Sequence, residues 1–275
     1  MTKIITTISS DILNEDICFI PTMGSLHEGH LSLVDLGKQT KLKTLVSIFL
    51  NRRQFNDIED FDNYPIQLDK DTQLLEDREV DYIFIPKEDY IYPSKNIEVV
   101  VPNEIGNVLE GSSRPGHFEG VLTVVKRLFD LIQPSCSVFG KKDAQQLFLI
   151  KNMISEFNLN IDLIEGDIIR DINGLALSSR NNLLSSSAKL KASNIHKLLL
   201  KTADLISTKN DYKEAIKEGT NEFKESDINL DYLEIVDLEN FKFPDKNSKK
   251  LKLLIAAYVE NIRLIDNLDV KLWRK

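Results

Sequence analysis

The stretch ICFIPTMGSLHEGH, residues 17–30, decides how the rest of the chain is read. Its opening apolar run, Ile17 to Ile20, reads as a buried strand, and a helical apolar spacing begins near Leu31. His27 and His30 fall one helical turn apart around Gly29, where strand passes into helix. Two of the chain's 4 histidines are therefore used at one junction. Both imidazoles there can face whatever occupies the helix N-terminus, where unpaired backbone N–H groups and the dipole favour phosphate. Gly29 has no Cβ, so a base or ribose can approach the backbone closely. Imidazole nitrogens can donate to phosphate oxygens, and such donors strengthen as charge builds on a bridging oxygen. Two plainer readings stand beside this one. A zinc pair at i, i+3 lacks a third His or Cys at suitable spacing. A pair of capping or solvent-facing histidines needs no ligand at all.

Working outward, short apolar runs alternate with helical patterns over the first two thirds of the chain. Strands are expected at 17–20, 44–50, 80–86, 97–101, 136–140 and 161–170. Helices are expected near 31–37, 66–78, 120–132 and 144–157. Continuous apolar strands separated by helices imply a parallel sheet covered on both faces. From about Ser185 the texture changes to two Lys-rich helices, near 187–206 and 211–225. Strands at 231–237, 251–259 and 263–267 follow. The organisation expected is α/β: a Rossmann-like parallel-sheet domain over 1–175 and a smaller α+β domain over 176–275. GLALSSRNN, residues 174–182, is the expected hinge.

Composition narrows the class of function. The 275 residues are 42% hydrophobic and 28% charged, as in ordinary soluble globular proteins. A formal net charge of -8 argues against broad binding to nucleic acid or acidic membranes. It leaves room for a small anionic substrate where cations gather locally. The 2 cysteines, Cys18 and Cys136, lie in strand-like runs without a C-x-x-C partner. Buried thiols in a reducing compartment are expected. No apolar run approaches the roughly 18 residues of a membrane span. The N-terminus lacks the charged start and apolar middle of a signal peptide, and a cytoplasmic location is expected.

Four motifs come at or near the carboxyl ends of expected strands, the edge where open α/β sheets bind ligands. After PTMGSLHEGH come NRRQF (51–55), FGKKDAQQ (139–146) and the segment leading to Arg170. In FGKKDAQQ, Lys142 suits a phosphate and Asp143 suits ribose hydroxyls. Asp143 and Gln146 also have the spacing of a helix capping box, and spacing alone favours that reading. In GLALSSR, residues 174–180, Ser178, Ser179 and Arg180 can close over a triphosphate or can form a simple turn. EGSSRPGHFEG (110–120) displays Arg114 and His117 on a clamp or an ordinary loop.

Taken together these segments resemble the pantothenate synthetase family. PTMGSLHEGH, SIFLNRRQF, Tyr64–Pro65, LEGSSRPGHFEGV, VFGKKDAQQL, GLALSSRN and RLIDN occur in the family's order and approximate spacing. The resemblance implies ATP-dependent condensation of pantoate with β-alanine through a pantoyl adenylate, with ATP as substrate and Mg²⁺ on its phosphates. It implies that Met23, Gly24, Ser25, Leu26, His27, Glu28, Gly29 and His30 line the ATP site, with His30 the principal catalytic residue and His27 its partner. It further implies Gly140, Lys141, Lys142 and Asp143 on ribose and phosphates, and the backbone of Ile169 on adenine. Leu177, Ser178, Ser179 and Arg180 would then close over the triphosphate. Gln54 and Gln146 would bind pantoate, Gln54 also lying near β-alanine, and Asp71 would be a metal contact. A homodimer is implied by the family alone. Three positions depart from its pattern: Arg52 replaces a proline and is expected to loosen the turn before Gln54, Lys141 reverses a charge, and Glu119 stands where arginine is common. A nucleotidylyltransferase and a non-catalytic nucleotide-binding regulator are the competing functions. The paired glutamines and the grouped cations count against them.

Overall fold

A computed structural model describes residues 1–93, 97–209, 211–224, 226 and 228–270. The chain divides into two compact units, Met1–Lys141 with Gln145–Asp167, and Lys142–Ala144 with the chain from Ile168 onward.

The first unit is a six-stranded sheet of β1 (Lys3–Ile5), β2 (Ile17–Thr22), β3 (Lys43–Ile48), β4 (Tyr82–Phe84), β5 (Cys136–Gly140) and β6 (Asp162–Gly166). The order is β1-β4-β3-β2-β5-β6, and every neighbouring pair is parallel. Ile17, Cys18, Phe19 and Ile20 are fully buried, as expected of a central strand covered on both faces. Cys18 and Cys136 are buried free thiols and face each other in register. Helices Glu28–Lys38, Leu68–Asp77 and His117–Ile132 connect the strands, and Ala144–Glu156 links β5 to β6. The chain first builds outward from β2 through β3 to β4, then returns to β5 and β6 on the other side. The topological switch point therefore lies between β2 and β5.

The second unit holds an antiparallel sheet, β7 (Asn229–Asp237), β8 (Leu251–Val259) and β9 (Ile262–Val270), with β8 central. Phe223, Leu199, Ile195, Leu253, Ile255 and Ala257 form its core. Glu260 and Asn261 join β8 to β9 with φ of 48° and 64°, the positive pair that a tight hairpin turn requires. Among the described residues no helix is long and apolar enough to cross a membrane.

The fold class is the expected one; several elements differ in detail. The run at 97–101 forms no strand, because Val100 N–H donates to Thr123 Oγ1 (3.0 Å) and the flanking Val99 and Val101 are exposed. The run at 161–170 leaves the sheet after Gly166, and Arg170 instead bridges Ala176. That bridge and the burial of Leu175 in the C-terminal core explain why the division by compactness falls before residue 175. The helix expected at 187–206 is two, Ser186–Ala192 and Asn194–Lys209, parted at Ser193. Tyr212–Lys224 matches the next, whose expected last residue, Glu225, lies outside the described residues.

Candidate active site

In the first unit the residues after β2 form a braced loop. Gly24 has φ +86° and Ser25 φ +53°, which turns successive amides toward one acceptor. That acceptor is Asp71, on the first turn of helix Leu68–Asp77 and only 1% exposed. Its Oδ2 takes Ser25 N–H at 2.7 Å and its Oδ1 takes Leu26 N–H at 2.8 Å. Charge-assisted bonds of this kind are stronger than neutral ones. A Cβ on Gly24 would lie 3.0 Å from Asp71 Oδ2 and 3.2 Å from Ile48 Cγ2. Gly24→Ala is therefore expected to lower stability by about 1–2 kcal/mol from the positive φ alone. The check is the urea midpoint at constant slope; an unchanged midpoint would show that the loop relaxes without cost.

The braced loop delivers His27 to the N-cap of helix Glu28–Lys38. His27 Nδ1 accepts from Gly29 N–H (3.1 Å), and His30 Nδ1 accepts from His27 N–H (3.4 Å). The rings lie 4.1 Å apart at 35°. The capping reading is thus realised, and it has a chemical consequence. An imidazole whose Nδ1 accepts carries its proton on Nε2, so each ring keeps a donor at that nitrogen. Capping uses Nδ1 on each ring, so it does not compete for Nε2. Among the described residues no three His, Cys, Asp or Glu side chains are grouped to hold a metal ion.

β3 ends in the 3-10 turn Arg52–Gln54, and Gln54 is buried. Its side-chain amide is oriented at both ends. Asn51 Nδ2 donates to Gln54 Oε1 (3.1 Å), and Gln54 Nε2 donates to Met23 Sδ (2.8 Å). Asn51 is itself fixed by Tyr92 O–H to its Oδ1 (2.8 Å) and by its own Nδ2 to Gly120 O (3.0 Å). Burial pushes the Tyr92 phenol well above its ordinary range, against a smaller opposing effect of Arg53, so it remains a donor. His117 bonds the Gln54 carbonyl through Nδ1 (2.8 Å), and Arg114 Nη1 approaches His117 Nε2 (3.1 Å). A carbonyl can only accept and a guanidinium can only donate, so the tautomer is Nδ1–H. Gly120 is required here, since a Cβ would meet Arg53 O at 2.3 Å. The expected loosening at Arg52 is not found. Its guanidinium closes the turn onto Phe55 O (3.1 Å) and lies over the Phe61 ring.

At the end of β5, Gly140 and Lys141 remain in the first unit, and Lys141 pairs with Asp167 (2.6 Å). Glu119 is exposed on the first turn of its helix, where the dipole favours a carboxylate. The adjacent glutamines separate cleanly. Gln145 is buried and uses its whole amide, accepting from Glu110 N–H and donating to Ile105 O and Val108 O. Gln146 is half-buried, and no side-chain hydrogen bond to another described residue is found for it, including the capping bond its spacing suggested.

The second unit carries Lys142, Asp143, Ile169 and the segment Leu177–Arg180. Leu177 N–H donates to Ile169 O (2.9 Å), and Ser178 Oγ accepts from Arg180 N–H (3.3 Å) to cap the 3-10 turn Ser179–Leu183. Asn181 Nδ2 donates to Ala176 O (3.0 Å). Leu177, Ser178, Ser179 and Arg180 are each half-buried on this turn. Asn51, Tyr92, the sulfur of Met23 and Gln145 were not anticipated as site supports. Asn51, Met23 and Gln145 lie inside the quoted motifs without a sequence signal for bracing; Tyr92, Met23 and Gln145 act through partners 31 to 41 residues away.

A parallel sheet with a switch point at β2/β5, and a capped H-x-G-H helix start beside it, define a doubly wound α/β protein. Comparison with known proteins names the family. The pantoate-beta-alanine ligase model matches residues 1–269. A pantothenate synthetase of Thermosipho africanus is 43% identical over 269 residues, 96% of each chain. One of Fervidobacterium nodosum is 42% identical over 267 residues, 96% of this chain and 95% of that one. The crystal structure of pantothenate synthetase from Thermus thermophilus superposes with a TM-score of 0.91 at 34% identity, covering 98% of this chain and 99% of that one. A pantoate-beta-alanine ligase from Francisella tularensis, complexed with beta-gamma ATP and beta-alanine, gives 0.81 at 35% identity, covering 98% of both. The chain belongs to the pantoate–β-alanine ligase family, a family of enzymes.

Proposed function

We propose that this protein joins pantoate to β-alanine at the expense of ATP through a pantoyl-adenylate intermediate. In the first step a pantoate carboxylate oxygen bonds to the α-phosphorus while the Pα–O bond to the β-phosphate breaks, releasing pyrophosphate. In the second the β-alanine nitrogen, as the neutral amine, bonds to the acyl carbon and sheds one further proton to solvent as the acyl–oxygen bond breaks and AMP leaves. A free carboxylate is a poor electrophile, and adenylation supplies the leaving group. The protein's part is alignment and stabilisation of added negative charge.

The observation that carries this reading is the reciprocal histidine cap, which fixes both rings and keeps Nε2–H as donor on each. His30 serves the oxygen between α- and β-phosphates, and His27 supports it. Met23 to Gly29, Gly140, Lys141 and Asp143 line the nucleotide, and Ile169 meets adenine through its backbone. Lys142, Ser178, Ser179 and Arg180, with Leu177, hold the triphosphate. Gln54 and Gln146 bind pantoate, Gln54 also near the amine. Mg²⁺ enters with ATP as counter-ion of its phosphates, in keeping with an ion that retains waters and needs few protein ligands. Asp71 oxygens keep second lone pairs beyond the two amides they accept, which is where a metal contact would fall. A cytoplasmic homodimer completes the proposal, and sedimentation at twice the chain mass tests the dimer.

Isotope exchange of pyrophosphate into ATP is expected only with pantoate present, followed by AMP release when β-alanine is added. Exchange indifferent to pantoate would reject the ligase reading. Transfer of AMP to a phosphorylated alcohol would favour the nucleotidylyltransferase, and ATP binding without turnover the regulator.

A further inference from the structure

We infer that Asn267 is a positioning residue for Lys142, and that the dipeptide Asp266–Asn267 on β9 is the common anchor of both phosphate-binding segments of the second unit. The inference rests on the proposed role of Lys142 and Arg180 toward the triphosphate.

Residues 142–144 follow β5 in sequence yet pack with the second unit. A side chain holds them there: Asn267 Nδ2 donates to Lys142 O at 2.8 Å. Asn267 is 2% exposed, and its other end, Oδ1, accepts from Lys252 Nζ at 3.0 Å. An ammonium cannot accept and a carbonyl cannot donate, so the amide has one possible orientation. Lys252, also buried, is held by Asp269 at 2.7 Å, its register partner across β8 and β9. The donor aimed at Lys142 is therefore set by a chain of buried contacts.

The preceding residue anchors the second segment. Asp266, also buried, takes Arg170 in a two-pronged pair of 2.6 and 2.9 Å and accepts Asn267 N–H at 2.7 Å. Arg170 also donates to Gly174 O (3.1 Å), inside the turn that leads to Leu177–Arg180. His196 lies against Gly174; burial first, then Arg170, push its imidazole below the ordinary range, so it adds no competing positive charge to this cluster. Two consecutive residues of one strand thus fix the backbone of Lys142 and the root of the loop bearing Arg180. A buried polar network of this kind is costly to leave half satisfied. Its outcome here is a fixed starting point for a long, flexible ammonium side chain, which lowers the entropy lost when that side chain meets phosphate.

Asn267→Asp is the clean probe. It conserves shape and turns the Lys252 contact into an ion pair, but it removes the donor and sets oxygen against Lys142 O. By calorimetry, ATP affinity is expected to fall about tenfold, the loss of one well-made hydrogen bond plus a repulsive replacement. AMP, which lacks the outer phosphates, is expected to bind within about twofold of wild type. The ATP KM rises alike, while the KM values for pantoate and β-alanine stay put. In a Lys142→Ala background the same substitution is expected to change ATP affinity by less than about twofold, since coupled residues are not additive. If N267D proves too unstable to purify, Asn267→Ala removes both contacts without adding charge and is expected to give the same ATP-selective loss. Wild-type ATP affinity in a folded variant, equal losses for ATP and AMP, or an undiminished loss in the Lys142→Ala background would overturn the inference. Failure of the wild-type protein to release pyrophosphate with pantoate would instead overturn the functional reading beneath it.

Discussion

His30→Ala is expected to slow pantoate-dependent pyrophosphate release by about 10²–10³-fold, the usual effect of removing one donor aimed at transition-state charge. The geometry says why the effect should fall on the rate. His30 uses Nδ1 to accept the amide of His27, which places its proton on Nε2, the nitrogen proposed above to serve the bridging oxygen. A ground-state ATP carries less charge at that atom, so binding is expected to change little and single-turnover adenylation to change most. Stability is a separate matter. The capping hydrogen bond that His30 makes is long, at 3.4 Å, and the ring is only half-buried. Its removal should cost less than about 1 kcal/mol of stability. His30→Gln retains a side-chain N–H and should recover part of the rate. A folded His30→Ala protein with near-normal turnover would mean that the donor is elsewhere.

The parallel sheet was legible because β2, β3 and β5 are short apolar runs with breaks between them, a pattern a chain buried on both faces must have. The same texture misled at 97–101. There the N–H of Val100 is satisfied by a helix side chain, Thr123 Oγ1, and no local pattern reports a partner in another element. β1 escaped notice for the opposite reason: its three residues are mostly exposed and pair only with β4. Within the site, the H-x-G-H signature was readable, while the division of labour between ring nitrogens was not. Gln145 and Gln146 are chemically identical neighbours, and only burial distinguishes the brace from the candidate ligand. The resemblance pointed to Arg52 as a loosening substitution because proline fixes φ at such turns. The structure supplies a different closure, a guanidinium folded onto Phe55 O.

Asp71 shows the same gap between motif and geometry, and it leads to the largest stability effect expected of this chain. By resemblance it is a metal contact; in the structure it is the keel of the loop between β2 and the histidine helix. Both of its oxygens are occupied by backbone amides 45 and 46 residues away. Asp71→Ala removes both acceptors and leaves Ser25 and Leu26 N–H groups buried without partners, an expected loss of about 3–5 kcal/mol. Asp71→Asn keeps the shape and one acceptor, but directs an NH₂ at the other amide. Its loss should be roughly half as large. Urea midpoints of the two variants check the order, and pyrophosphate release from the fraction still folded checks the link to chemistry. Ser25 holds a positive φ beside this carboxylate, so losing the two bonds is expected to loosen the loop that leads to the His27 cap. Activity should therefore fall even where the fold survives. Excess Mg²⁺ separates the two roles of Asp71: added metal should restore the rate if the carboxylate mainly held a cation, and should leave it low if the carboxylate mainly holds the loop. A variant as stable as wild type would remove Asp71 from the structural argument altogether, since Asp71, Ser25 and Leu26 are all buried and the two amides would lose their acceptor.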